Sequence, residues 1–260
     1  GGKHMNKKAI AGLLGAASLV TLAACNNNKA NNAGGDSAAK TSERKFPTEV
    51  TNEGTVVKGG TINYAIVTES PFKGLINPLL SVDNSDGVLE DFAYASLFEY
   101  DENQRIKKDG GMMEFTLDRE KKTVTLKLRS KDYKWSDGQP LTIDDYIFTY
   151  EFIGNKDYNG VRYDENAANI VGMEEFHEGK ADKISGLEKV DDQTVVIHLK
   201  EVYPALELGG NAIMANIMPK HVFKDMTYDQ AVASDAARTK VVGNGPFIVD
   251  KVVPGESVTF

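Results

Sequence analysis

The sequence predicts an α/β chain. Two kinds of apolar spacing alternate along it. Val124, Leu126 and Leu128 recur at every second residue among Thr123, Thr125, Lys127 and Arg129, as on a half-buried strand, whereas Ile143, Tyr146, Ile147, Tyr150 and Ile153 recur at helical spacing. With 260 residues, 41% of them hydrophobic and 26% charged, the chain can fill one or two packed cores, and disorder throughout is excluded.

In chain order, Gly1–His4 reads as an expression remnant ahead of a natural start at Met5. Residues 5–24 then have the layout of an export signal: Lys7 and Lys8 supply a positive start, and Ala9–Val20 form an uncharged apolar run too short to span a bilayer comfortably. Leu22-Ala23-Ala24-Cys25 resembles the lipobox of bacterial lipoproteins. That resemblance implies lipid attachment at Cys25, the single cysteine, and two acyl chains there would anchor stably where one binds only marginally. The alternative is a plain cleavage near Ala24 that leaves Cys25 a free thiol. Residues 25–55, rich in Asn, Ala, Ser, Gly and Lys, have the composition of a flexible tether.

The folded part is expected to begin at Val56. Thr61–Val67 reads as a buried strand, stopped by the loop Thr68-Glu69-Ser70-Pro71. Val88, Leu89, Phe92, Ala93 and Leu97 predict an amphipathic helix over 86–97, followed by a strand entering a turn over 98–103. Phe115 and Leu117 lead through a charged turn at Asp118–Lys122 into the Val124–Leu128 strand, which makes a hairpin with one face buried.

Thr142 with Asp145 supplies a capping-box start to a helix that buries one face and ends near Gly154. Residues 184–190 and 194–199 predict paired strands around Asp191-Asp192-Gln193. A helix over 205–215 is weakened by Gly209 and Gly210, and a small helix is expected over 228–237. Val241–Val249 reads as a glycine turn running into a strand, with another beginning at Val258.

The formal charge of −8 disfavours a nucleic-acid partner. No Ser-centred elbow or His-Glu-x-x-His spacing occurs, and His177, His198 and His221 stand apart in sequence, so neither an enzyme, a metal site nor a cofactor is expected.

Several segments, in order, resemble the family 5 solute-binding proteins, the peptide, dipeptide and nickel receptors of ABC importers. They are Leu97-Phe98-Glu99-Tyr100-Asp101, the stretch Leu126–Tyr150 with its Lys134-Trp135-Ser136-Asp137-Gly138 core, Asp192–Val196, Pro219-Lys220-His221-Val222 and Gly243-Asn244-Gly245-Pro246-Phe247. Asn169-Ile170-Val171-Gly172 and the stretch 157–165 are most similar to Gram-positive oligopeptide-binding lipoproteins. Lys108–Met113 departs from the family's usual proline-led segment, which bears on subfamily more than fold.

The resemblance implies a periplasmic-binding-protein-like lobe (type II, cluster C) with a mixed sheet and an attached α+β subdomain, the second lobe lying outside this chain. It implies lobe I at 56–83 and 184–260 and the subdomain at 84–183. It further implies a monomeric, lipid-anchored receptor on the outer face of a Gram-positive cell membrane that passes oligopeptides to ABC permease subunits. The alternatives are a peptide-pheromone sensor or adhesin on the same fold, or a receptor for nickel, haem or sugar. Because closure takes two lobes, residues 25–260 alone are expected to bind peptide weakly or not at all.

An extended ligand backbone is held best by loop and strand edges. By resemblance, Glu69, Ser70, Pro71 and Phe72 face the cleft, and Gly243, Asn244 and Gly245 lie near the lobe junction; each is equally readable as ordinary loop or turn. Tyr158 and Tyr163 are further candidates as an aromatic platform, with local packing as the alternative. Trp135 and Asp137 are assigned to folding, the first as core and the second as a turn-former.

Overall fold

The computed structural model describes residues 55, 58–208 and 216–260. The export signal, Cys25, the tether to residue 54, Val56 and Val57, and the Gly209–Ala215 part of the expected helix lie outside them. The chain divides into two compact units, Gly1–Asn63 and Tyr64–Phe260. In the first, the described residues form no helix or strand.

The second unit is built on one antiparallel sheet of order β1-β2-β4-β3. Strand β1 (Met113–Asp118) and β2 (Thr123–Leu128) form the expected hairpin, with Phe115 opposite Leu126. Lys122 takes a positive φ of 53° in its turn. Along β2, Val124, Leu126 and Leu128 are buried and Lys127 is exposed, which is the alternation the pattern predicts. Strand β4 (Thr194–His198) pairs with β2, and β3 (Leu187–Lys189) closes the other edge.

One expectation is corrected here. The sheet is not mixed: every strand pairing among the described residues is antiparallel. The division at 183/184 runs between strands of this one sheet, because β2 bonds to β4 across it.

Helix α1 spans Asn84–Ala93, so it stops short of Leu97; Tyr94 is extended (φ −125°, ψ 132°), and Leu97 reaches the core from irregular chain. The turn after Phe98 is closed by a bridge between Tyr100 and Ile106. Helix α2 (Ile143–Gly154) starts with the predicted capping box between Thr142 and Asp145. It buries more than one face: Phe148, Thr149 and Phe152 are covered as well as Ile143, Tyr146, Tyr150 and Ile153. The helix is therefore interior, sheathed by chain returning from later in the sequence.

Short helices α3 (Glu165–Ala168) and α4 (Met173–His177) follow, then a 3₁₀ turn at Pro204–Glu207, helix α5 (Lys220–Phe223) and helix α6 (Tyr228–Ala233) with a 3₁₀ turn at Asp235–Ala237. Among the described residues, no helix is long and apolar enough to cross a membrane.

Two predicted strands do not form. Thr61–Val67 is irregular and unpaired among the described residues, and Val67 is 98% exposed, because a β-branched run becomes a strand only against a partner edge. Residues 246–249 are also irregular; the hairpin lies later, between β5 (Lys251–Val253) and β6 (Ser257–Thr259), and turns at Gly255, whose φ is +75°.

Candidate functional site

Three sequence motifs converge on one buried carboxylate. Asp145, at the start of α2, accepts hydrogen bonds from Trp135 Nε1 (3.2 Å) and Thr142 N (3.0 Å) on Oδ2 and from Lys220 N (2.9 Å) on Oδ1. Burial raises its pKa above the ordinary aspartate value while these donors pull it back. Asp137 accepts from Gln139 N at 3.1 Å and pairs with His221 Nε2 at 2.6 Å, and Ser136 N donates to Gly243 O at 2.8 Å. The Lys134–Gly138 turn, the Pro219–His221 segment and the Gly243–Gly245 turn are thus stitched together. Trp135, only 2% exposed, belongs to that framework.

The Gly243-Asn244-Gly245 turn is occupied by the chain itself. Gly245 N donates to Ala93 O at 2.8 Å, and Asn244 Oδ1 accepts from Ala95 N at 3.2 Å. A β-carbon on Gly243 would fall 2.0 Å from Ala93 O, so glycine is required for close approach to the end of α1. The turn is thus packed against the chain's own backbone at Ala93.

The loop Glu69-Ser70-Pro71-Phe72 ends a strap of irregular chain, Tyr64–Phe72, which bends at Glu69 and Ser70. Among the described residues, no backbone–backbone hydrogen bond involves any residue of the strap. Its far end is pinned. Lys73 N and Gly74 N both donate to Asp86 Oδ1 at 2.9 Å, on a carboxylate buried in the first turn of α1. Gly74, at φ +74°, sits against Val252 and Pro254 of the β5–β6 hairpin, and Pro71 lies beside Gly255. An aromatic cluster borders the strap: Phe92 of α1 meets Tyr64 at 5.9 Å, Phe247 at 5.9 Å and Phe260 at 5.2 Å between ring centroids. Tyr64 is 69% and Phe247 51% exposed.

The structure brings the glycine turn to this aromatic cluster through Phe247 N, which donates to Phe92 O at 3.0 Å, while Glu69–Phe72 follows Tyr64 along the strap and meets the β5–β6 turn at Pro71. It does not bring the two tyrosines there. Tyr158 is 7% exposed, donates its hydroxyl to Leu79 O at 3.2 Å and packs edge-on against Tyr228 at 4.8 Å. Tyr163 stacks on His177 at 3.9 Å. Sequence reading missed the cluster because Phe92 fits the apolar stripe of α1 as well as Leu89 does; the available signal was Phe247, two residues after the glycine turn. Among the described residues, no group of His, Cys, Asp and Glu is arranged to hold a metal ion.

Residues 112–260 match the family model described as bacterial extracellular solute-binding proteins, family 5 Middle. The chain belongs to this family. A Lactococcus lactis subsp. cremoris relative of family 5, the oligopeptide-binding protein OppA, is 39% identical over 155 residues, covering 58% of this chain and 26% of the relative. The Bacillus subtilis oligopeptide-binding protein AppA is 26% identical over 238 residues, covering 88% of this chain and 36% of the relative. The family 5 structure of lactococcal OppA with an endogenous peptide, in its closed conformation, superposes with a TM-score of 0.68 at 34% identity, over 74% of this chain and 36% of that one. The chain thus spans about a quarter to a third of the length of these family 5 relatives.

Proposed function

We propose that this chain is part of a lipid-anchored extracytoplasmic receptor that binds oligopeptides and delivers them to an ABC transporter permease. The observation that carries the reading is the strap Tyr64–Phe72: free of backbone–backbone hydrogen bonds among the described residues, pinned just beyond its end at Asp86 and bordered at Tyr64 by aromatic rings. An extended peptide laid beside such an edge gains main-chain hydrogen bonds independent of its sequence, while the rings receive apolar side chains. Glu69, Ser70, Pro71 and Phe72 are its candidate contacts. The relatives named for oligopeptide binding support the same ligand class. A monomer acts alone in this reading, and acylated Cys25 holds the receptor beside the permease. In this reading residues 187–198, which pair into the β1-β2-β4-β3 sheet, go with the subdomain and the rest of 184–260 with lobe I.

Deleting the gene in an auxotrophic host and supplying the required amino acid only within an oligopeptide tests the reading. Growth should fail and return with the wild-type gene, while C25S should release the protein into the medium and lower uptake. Undiminished growth of the deletion strain on the peptide, or loss of nickel, haem or sugar uptake in its place, would overturn it.

A further inference from the structure

Away from the strap, a cavity of about 550 Å³ opens between the C-terminal end of α2 and the segment 220–228. Its size lies within the range of small-molecule sites. None of its lining residues belongs to the strap or the aromatic cluster around Phe92.

The wall is a continuous run of rings: Phe148 against Phe152, Phe152 against Tyr158 (both 6.0 Å between centroids) and Tyr158 against Tyr228 (4.8 Å). Around it stand Glu151, Asp157, Asp182 and Asp225, together with Lys220 and Lys224. None of these six charges closes an ion pair among the described residues, whereas Lys180, Lys189 and Lys200, on the surrounding surface, each pair with a neighbouring acid. Charges of both signs face one concavity and leave each other unpaired.

The geometry points to a second binding site, distinct from the strap, for a small zwitterion with an apolar body: an amino acid or short peptide carrying free ammonium and carboxylate ends. A plain cation entering the cavity would be opposed by Lys220 and Lys224, and a plain anion by the four carboxylates. A zwitterion meets both signs at once. Its ammonium pairs on the acidic side and its carboxylate with a lysine, as charge-assisted hydrogen bonds. Its apolar body stacks on Phe152 and Tyr228, so that aromatic ligands are preferred. The site does not depend on the receptor reading, because its parts lie wholly within the described unit.

The test titrates the 260-residue chain, observed by ¹H–¹⁵N NMR, with three probes: the dipeptide Phe-Phe, its N-acetylated and C-amidated form, and free phenylalanine. The site predicts shifts confined to residues 151–158 and 224–228, with the capped dipeptide binding about tenfold or more weakly, a loss of at least one free-energy decade. The double variant K224Q/D225N, at two exposed positions, should lose about tenfold with unchanged Tm. Phenylalanine binding as well as the dipeptide identifies the ligand as a free amino acid; much weaker binding identifies a peptide. Equal affinity for the capped dipeptide, shifts elsewhere only, or an unaffected double variant would overturn the site. Shifts at Tyr64–Phe72 would speak to the strap alone, so the two readings fail separately.

Discussion

Strand β2 and the strap Tyr64–Phe72 begin from similar sequence and end in opposite states. Thr123–Leu128 alternates β-branched and apolar residues and lies between β1 and β4, with Val124 and Leu126 fully buried. The strap is comparably rich in Tyr, Ile and Val, yet it pairs with nothing among the described residues and leaves Val67 almost bare. The difference is partnership: a strand's stability comes from cross-strand pairs and burial rather than from its own propensity. One region is packed between two partner strands, and the other is unpaired among the described residues.

That contrast can be sharpened at its packed end first. W135A should cost about 3–5 kcal/mol in urea unfolding, since it opens a cavity and also strips a donor from the buried Asp145 carboxylate. An unchanged denaturation midpoint would remove Trp135 from the framework.

Next comes a pH dependence inside the same unit. Burial, outweighing a hydrogen bond from Ser81, pushes Glu90 up to about 7 from its ordinary 4.5. The folded chain therefore holds a proton that the unfolded chain has released between pH 4.5 and 7. Stability present below this window is lost as pH rises through it, by on the order of 3 kcal/mol at about 1.4 kcal/mol per pH unit. Chemical denaturation at pH 4.5 and 7.5 should show this loss, and E90Q should flatten it.

A smaller effect is expected at the seam between the two regions. G243A would drive a methyl group into Ala93 O and should cost about 1–3 kcal/mol as overpacking. At the open end, V67S should change stability by less than about 0.5 kcal/mol. A cost comparable to that of G243A would mean that the strap is packed after all.

Legibility in the sequence followed the range of the interactions. The β1–β2 hairpin, the β3–β4 pair and the capping box at Thr142 and Asp145 are set by neighbours close in sequence, and each is readable. Trp135 and Asp137 read as folding residues, but the partners of this turn, Asp145 for Trp135, His221 for Asp137 and Gly243 for Ser136, are invisible to periodicity, the last two being distant in sequence. The strand expected at 61–67 failed for want of a partner edge, and the one expected at 246–249 gave way to the later β5–β6 hairpin. Of the candidate site, Glu69–Phe72 lies at an open edge, whereas Gly243, Asn244 and Gly245 are engaged by the chain, and Tyr158 faces the core. Side-chain type alone carries no record of which way a loop turns.

The most direct test of the strap as a peptide edge is amide hydrogen exchange of residues 65–70 and 72, with the chain in excess extended peptide and, separately, in the same peptide N-methylated along its backbone. Protection of these amides by the first peptide and none by the second is the predicted result. Equal protection by both, or none by either at concentrations well above millimolar, would contradict it.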